Sequence, residues 1–569
     1  DDKIDVIKIV LNTPLSSKKS TTINVAYDVK IPSAKFTRYG KTKTGYHLRY
    51  WYLVPAVFKD GWKVMSNLNM DDLLTNSTNY SIKIKLPKHY FLNSNLTKLK
   101  TQEENLNEFL LSGKQRTDVL LHIDTKDDYK SFNTDKIEIK TDLYNTAIDK
   151  KLTNDILNRQ LLFIGDFLGE YPHKKLLIDE VSQAKNPIYG LNQLPNFIRP
   201  FPDVFEWDLT MLKAVTKKYI DNTLLLDKRK DYWLTDGLQT YLMMNYVSQY
   251  YPEIKLAGNI SKIWGFRNFN FSKLKFNDKY PFVYQYTARQ FLDQALNTRS
   301  DSLSNFNRKI AGKYKAGLGL RYLADYIGDT IISSSFKEFY KKNKLNFAKS
   351  ESFKKIVSKK TSKDINWFFD EYLTTDKKID YTIKKAVVLN DSVYVTIKNK
   401  RNITAPVALY GLKKKQVKFK KWLTNIDSTT TVVIPKNGFD RVSLNFENSY
   451  PEFNSMDNWK KVGKNILNKP IQFKLYKDIN DPYYHQIYLQ PNIKYNYYDG
   501  ALLGLRIHNK PILSRNFQFS ITPQYGTKSN SLNGIFNTRY IQYFENSKIN
   551  RIFYSISGSN LHYAEDLSY

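Results

Sequence analysis

Two hydrophobic periods alternate along this chain and mark out its parts. In "YSIKIKLPKHY" and "KIEIKTD" apolar and polar residues alternate at period two, which predicts strands with one wet face. Residues 1–150, punctuated by Gly, Pro and Asn clusters, read as an all-β opening domain. From 151 to 378 the period becomes that of helices. "EWDLTMLKAVTKKYIDNTLLL" puts Leu209, Leu212, Val215, Tyr219 and Leu224 on one broad side. "LQTYLMMNYVSQYY", "YTARQFLDQAL", "LRYLADYI" and "DINWFFDEYL" predict further helices, the last N-capped by Asp364. Strands return over 379–450, where "YTIKKAVVLNDSVYVTIKNK" carries a hairpin turn at Asn390-Asp391; this stretch reads as a small β-sandwich. Residues 451–480 read as a connector.

The segment 481–569 has its own style. In "YLQPNIKYNYYDG" Leu489, Pro491, Ile493, Tyr495 and Tyr497 alternate with Gln490, Asn492, Lys494 and Asn496; "ALLGLRIHN", "FQFSIT" and "RIFYSIS" continue the pattern. Strands of about ten residues, apolar on one side and aromatic near their ends, are the pattern of outer-membrane barrels. A soluble meander shares the alternation. About five such segments fit before Tyr569, whereas a closed barrel needs at least about eight. Either the chain is truncated, or something outside this sequence completes the sheet.

Composition narrows the picture. At 569 residues, 41% of them apolar, the chain has material for roughly three or four domains. The absence of cysteine excludes disulfides, zinc ribbons and thiol nucleophiles. "DDKIDVIKIV" begins like a mature, processed chain, and no run of about 18 apolar residues predicts a transmembrane helix. Lys and Arg exceed Asp and Glu by 88 to 55, a net +33. Such charge suits anionic lipid or lipopolysaccharide, or is a lysine-rich solvated surface. No nucleic-acid motif accompanies the lysines, and Lys outnumbers the Arg that base readout favours, so nucleic acid is excluded as a partner. The densest cluster, "GLKKKQVKFKKW" from Gly411, reads as the wet face of a strand.

Several motifs in a shared order resemble M1-family gluzincin metallopeptidases over residues 1 to about 450. "RYWYLVPAVFKDGW" and "YSIKIKLPKHY" look like the family's first domain and "LGEYPHKKLLI" like the entry strand of its catalytic domain. "DYWLTDGLQTYL" resembles its W-L-N-E-G-F-A third-ligand segment, and "DINWFFDEYL" the helix before its last β domain. The resemblance implies an α+β multidomain fold: an N-terminal β domain, a helical thermolysin-like domain and a β-sandwich, followed here by antiparallel barrel-type strands.

The family holds zinc with H-E-x-x-H, 18 further residues and a Glu. Two imidazoles one helical turn apart point the same way, the intervening Glu handles the water, and the later carboxylate closes the site. Counting back from Asp236, the window reads "KAVTK": Lys213 and Lys217 stand where imidazoles belong, and Ala214 replaces the general base. None of the seven histidines lies between Lys174 and Tyr484. A protonated lysine has no free lone pair, so the resemblance implies a degenerate site with no metal, no cofactor and no hydrolysis. The amine-gripping Glu of the family's G-x-M-E-N strand aligns with Gln193, and its oxyanion-stabilising tyrosine with Tyr284. The vacated site has two readings: Lys213 and Lys217 pair with Asp236 in place of the ion, or they form a solvated stripe.

The expectation is therefore a pseudopeptidase in the outer membrane, its peptidase-like domains on the periplasmic side. It would act as a scaffold or polypeptide-binding subunit of a protein assembly or secretion complex. Its partners would be other outer-membrane or periplasmic proteins, outer-membrane lipid and an extended polypeptide client docked on a sheet edge. The alternatives are a residual or relocated-site peptidase and an anionic glycolipid-binding surface module.

Overall fold

The computed structural model describes residues 6–569 except 60, 66–71, 103–105, 192–194, 196–198, 464–467, 546, 565, 566 and 569. It divides into two compact bodies. One is the chain up to Met243 with Arg299–Ser302 and Asp329–Ser362; the other is Met244–Thr298, Leu303–Gly328 and the chain from Lys363 onward.

In the first body the period-two segments form strands, as expected, and pair into sheets. Thr78–Pro87, Leu106–Arg116 and Thr97–Gln102 form one antiparallel sheet; Gly40–Lys41, Gly45–Arg49, Leu120–Asp124 and Phe91–Ser94 form another. Their apolar sets meet in one cluster that includes Leu92, Phe109, Leu111, Leu121 and Ile123. A third sheet joins Lys130–Asn133 and Glu138–Thr141 to Lys175–Ile178, the last two in parallel. A parallel pair needs a long crossover, and the helix Lys150–Leu168 supplies it. Asp149 caps that helix by accepting from the N–H groups of Lys151 (2.7 Å) and Leu152 (3.1 Å). The helices Asp329–Asn343 and Ser350–Lys360 pack through stacked Phe336 and Phe353.

In the second body the helices Lys279–Arg289 and Gly312–Ile327 lie together. The helix expected over "YTARQFLDQAL" stops at Arg289, because Phe291 turns into left-handed backbone at φ 53°. Trp367–Tyr372 winds as a π-helix. The glycines of "KAGLGLRY" lie within a helix, and a Cβ on Gly319 would sit 2.4 Å from the Tyr372 ring. They permit close packing. Two facing sheets follow: Tyr381–Leu389, Ser392–Asn399 and Thr429–Pro435, with the Asn390-Asp391 turn; and Gln416–Leu423, Val407–Lys413, Arg441–Leu444 and Trp459–Lys461. The stretch read as a connector thus contributes a strand here, and a second, Ile471–Leu475, to the next sheet.

That last sheet has six strands in the order Ile471–Leu475, His485–Asn496, Gly500–His508, Phe517–Gly526, Ser531–Tyr543, Arg551–Asn560. The first pair is parallel; the others are antiparallel. Its burial is inverted relative to a water-soluble sheet. Most apolar positions face out, with Ile493 74%, Tyr495 76% and Ile556 70% exposed, while Tyr488, Leu502 and Ile541 lie inside. The alternate polar positions are inside: Gln486, Gln518, Ser520, Thr522, Gln524 and Asn533 are buried. The sheet curls about this polar side. Asp499, in the turn after Asn496, accepts from Ser529 Oγ (2.7 Å) and Asn533 Nδ2 (2.9 Å), and lies 2.6 Å from His562 Nδ1, beyond the sixth strand.

Candidate functional site

Lys213, Ala214, Lys217 and Asp236 lie in the first body, on the helix Asp203–Asp221 and the start of the helix Tyr232–Tyr250. Asp203–Asp221 is helical because Leu209, Leu212, Val215 and Tyr219 form a continuous buried stripe, with Asp203 and Glu206 suiting the positive end of its dipole. Tyr232–Tyr250 has its first turns, including Trp233, Leu234 and Leu238, almost wholly buried. Lys213, Ala214 and Lys217 ride on the first helix and Asp236 on the second.

The structure brings Lys217 and Asp236 together. Lys217 Nζ is 3.6 Å from Asp236 Oδ1 and 3.2 Å from Asp221 Oδ1, which Lys228 Nζ reaches at 3.3 Å. Two ammonium groups and two carboxylates thus alternate in a chain of zero net charge. Burial pushes the Asp221 carboxyl up, but Lys217 and Lys228 outweigh it and hold the group well below the usual carboxylate range. Lys213 is placed differently: its ammonium donates to the Pro187 carbonyl (2.7 Å), while Gln239 Nε2 donates to the Lys213 carbonyl (2.7 Å). Beside Ala214 lies a cavity of about 20 Å³, bounded also by Asp179, Ser182, Lys217 and Lys218. That is room for one water.

The donor set does not fit a divalent cation. Zinc needs three or four lone pairs from imidazole, thiolate or carboxylate. At this place Asp236 is the family position with such a donor, and the Lys217 ammonium shares its Oδ1. Among the described residues no group of three or more His, Asp or Glu is placed to hold a metal ion.

Tyr284 lies in the second body, 2% exposed, and burial holds its hydroxyl far above the range in which phenols ionise. It is a packing residue of the helix Lys279–Arg289. Gln193 lies outside the described residues. Two features escaped the sequence reading. Lys218 and Asp179 form a buried pair at 3.0 Å, with Asp179 also accepting from Ser182 N (2.7 Å) and Oγ (2.9 Å). His122, on the strand Leu120–Asp124, is buried against the ring of His47 with centroids 4.7 Å apart, and burial pushes its pKa down to about 4. Lys217 to Asp221 was readable as an i, i+4 pair; the Lys218–Asp179 pair spans a loop and leaves no such signal.

Neither a protein-family model nor a curated protein matches the chain. Among solved structures it is similar to Legionella pneumophila aminopeptidase A, crystallised in complex with aspartic acid. The identity is 13% and the TM-score 0.48, over 66% of this chain and 44% of that one, so the chain spans less than half of that protein's length.

Proposed function

We propose that this chain is a non-catalytic, M1-metallopeptidase-like protein anchored in the outer membrane, acting as a scaffold or polypeptide-binding subunit of an assembly or secretion complex. The observation that carries the reading is the inverted last sheet. A soluble protein rarely exposes an apolar patch beyond a few hundred Å²; here successive strands turn Phe473, Ile493, Leu503, Ile521, Phe536 and Ile556 outward. The side kept from solvent is lined with amide and hydroxyl groups, as in a barrel lumen. Phe517 to Tyr525 is nine residues long, within the roughly 9–11 residues of a tilted membrane-spanning strand. Aromatic residues stand near both ends of the apolar face: Tyr495, Tyr497 and Tyr525 at one, Phe517, Tyr540 and Tyr554 at the other.

The non-catalytic half rests on Lys213, Ala214, Lys217 and Asp236. In the family a metal generates hydroxide there; in this chain an ammonium group lies against the Asp236 carboxylate and alanine stands at the general-base position. What remains is a folded scaffold with surfaces for partners.

Both halves are tested on the full chain. Membranes washed with alkaline carbonate retain an anchored protein; release into the wash overturns the anchoring. Purified in detergent, the protein turns over no aminoacyl-fluorophore with or without added Zn²⁺, and chelator-sensitive turnover overturns the pseudopeptidase reading. Outer-membrane proteins co-purify with it in stoichiometric amount from detergent extracts if it is a scaffold; recovery of the chain alone overturns that role.

A further inference from the structure

The hairpin at the heart of the lysine cluster has an unusual tip. Lys414 and Lys415 are the two central residues between the strands Val407–Lys413 and Gln416–Leu423, with φ of 48° and 68°. A two-residue loop with both φ positive is the type I′ turn, which favours Asn-Gly because side chains with a Cβ are strained there. Two lysines in this turn cost backbone stability, and both are exposed. Strain of this kind gathers at functional sites.

The tip overhangs a cavity of about 270 Å³ lined by Lys414, Lys415, Arg441, Asp440, Tyr483 and Tyr484, with three cations against one carboxylate. Lys415 Nζ is 4.6 Å and the Arg441 guanidinium 4.9 Å from the centroid of the Tyr483 ring. Three cationic side chains converging on one cavity are the complement of an oxyanion. Position selects which oxyanion. Pro470, also on the wall, leads directly into Ile471–Leu475, and Tyr483-Tyr484 into His485–Asn496. The cavity therefore lies at the foot of the outward apolar face, where Ile471 and Phe473 are exposed.

We propose that this cavity binds the phosphate of an anionic lipid headgroup. The lipid's acyl chains would run along the apolar face that starts beside it. The assignment rests on the membrane reading above and adds a specific lipid contact to it. Lysines and arginine at a headgroup surface each strengthen binding about five-fold, and tyrosines suit the same interfacial depth.

The test uses the full chain and vesicles of phosphatidylcholine with or without phosphatidylglycerol, comparing wild type with the double substitution Lys414→Asn/Lys415→Gly. That substitution installs the preferred turn, so the variant melts at or above the wild-type temperature. Wild type is expected to prefer the anionic vesicles, and the variant to lose roughly thirty-fold of that preference while still binding phosphatidylcholine. An undiminished preference in the variant overturns the site, as does equal binding of wild type to both vesicles, which leaves the anchoring intact. Binding to neither vesicle overturns both. Saturation of the Tyr483 cavity by inorganic phosphate alone, with no further gain from lipid, assigns it to free phosphate and overturns the lipid.

Discussion

The Lys217–Asp236 contact is explicable one side chain at a time. Lys217 is about a third exposed and Asp236 more buried, so their pairing lies between a surface ion pair, worth under about 1 kcal/mol, and a buried one, costly to break. Asp236→Ala is expected to lower stability by about 1–2 kcal/mol. In a double-mutant cycle with Lys217→Met the two losses should fall short of additivity by about 0.5–1 kcal/mol; strict additivity in denaturant melts refutes the pairing. A second residue gives a pH signature. Burial pushes the Asp142 carboxyl up to about 7, the Asp179 charge adds to this, and the Glu180 N–H, donating at 2.8 Å, opposes it. The fold therefore keeps a proton that the unfolded chain loses near its ordinary value of about 3.9. Between about pH 4 and 7 the native state binds more protons, so stability falls as pH rises through that window. Asp142→Asn, which retains the Oδ1 acceptor, is expected to be about 2–3 kcal/mol more stable than wild type near pH 8, the gap closing near pH 4. A pH-independent difference in melting temperature argues against a titrating Asp142.

Among the elements, glycine provides a test with opposite signs. An open helical Gly→Ala change gains up to about 1 kcal/mol. Gly165, with nothing within 4 Å of an added Cβ, should show that gain. Gly319 should lose about 1–3 kcal/mol by overpacking against Tyr372; a stabilised Gly319→Ala in thermal melts would show the helix and the π-turn to be loosely packed. The same comparison explains what could be read from the chain. Period-two strands such as Thr78–Pro87 and the stripe of Leu209, Leu212 and Val215 were legible because one face meets water and the other does not. The strand Ile471–Leu475 alternates strictly as I-Q-F-K-L but was missed because five residues are too short a run to stand out from a connector, and "FLDQAL" was overread because a left-handed Phe291 has no sequence signature. In the site, spacing set Lys213, Lys217 and Asp236 on two neighbouring helices. It could not give contacts such as that of Lys213 with the Pro187 carbonyl, since these depend on where a long flexible side chain finds its acceptor.

Across the whole molecule, polarity is distributed in two opposite ways. A chain of net charge +33 exposes most of its lysines and pairs buried ones such as Lys218 and Lys315 with carboxylates, yet its final sheet turns an apolar face outward and hides a largely polar one. Ile521, in the middle strand region and paired with Ile507 and Phe536, sits at the centre of that face and is 52% exposed. If water covers the face, Ile521→Arg removes little buried apolar area and shifts stability by no more than about 0.5 kcal/mol. If lipid covers it, the guanidinium lies near the bilayer midplane, at a cost of about 2–4 kcal/mol. We expect the larger value in denaturant titrations of the chain folded into vesicles, and the smaller one for the same substitution at Ile493, nearer the rim, where a cationic side chain reaches the headgroups. Depth dependence is what separates the two solvents: a protein–water surface has no midplane, so equal effects at Ile521 and Ile493 would place this face in water.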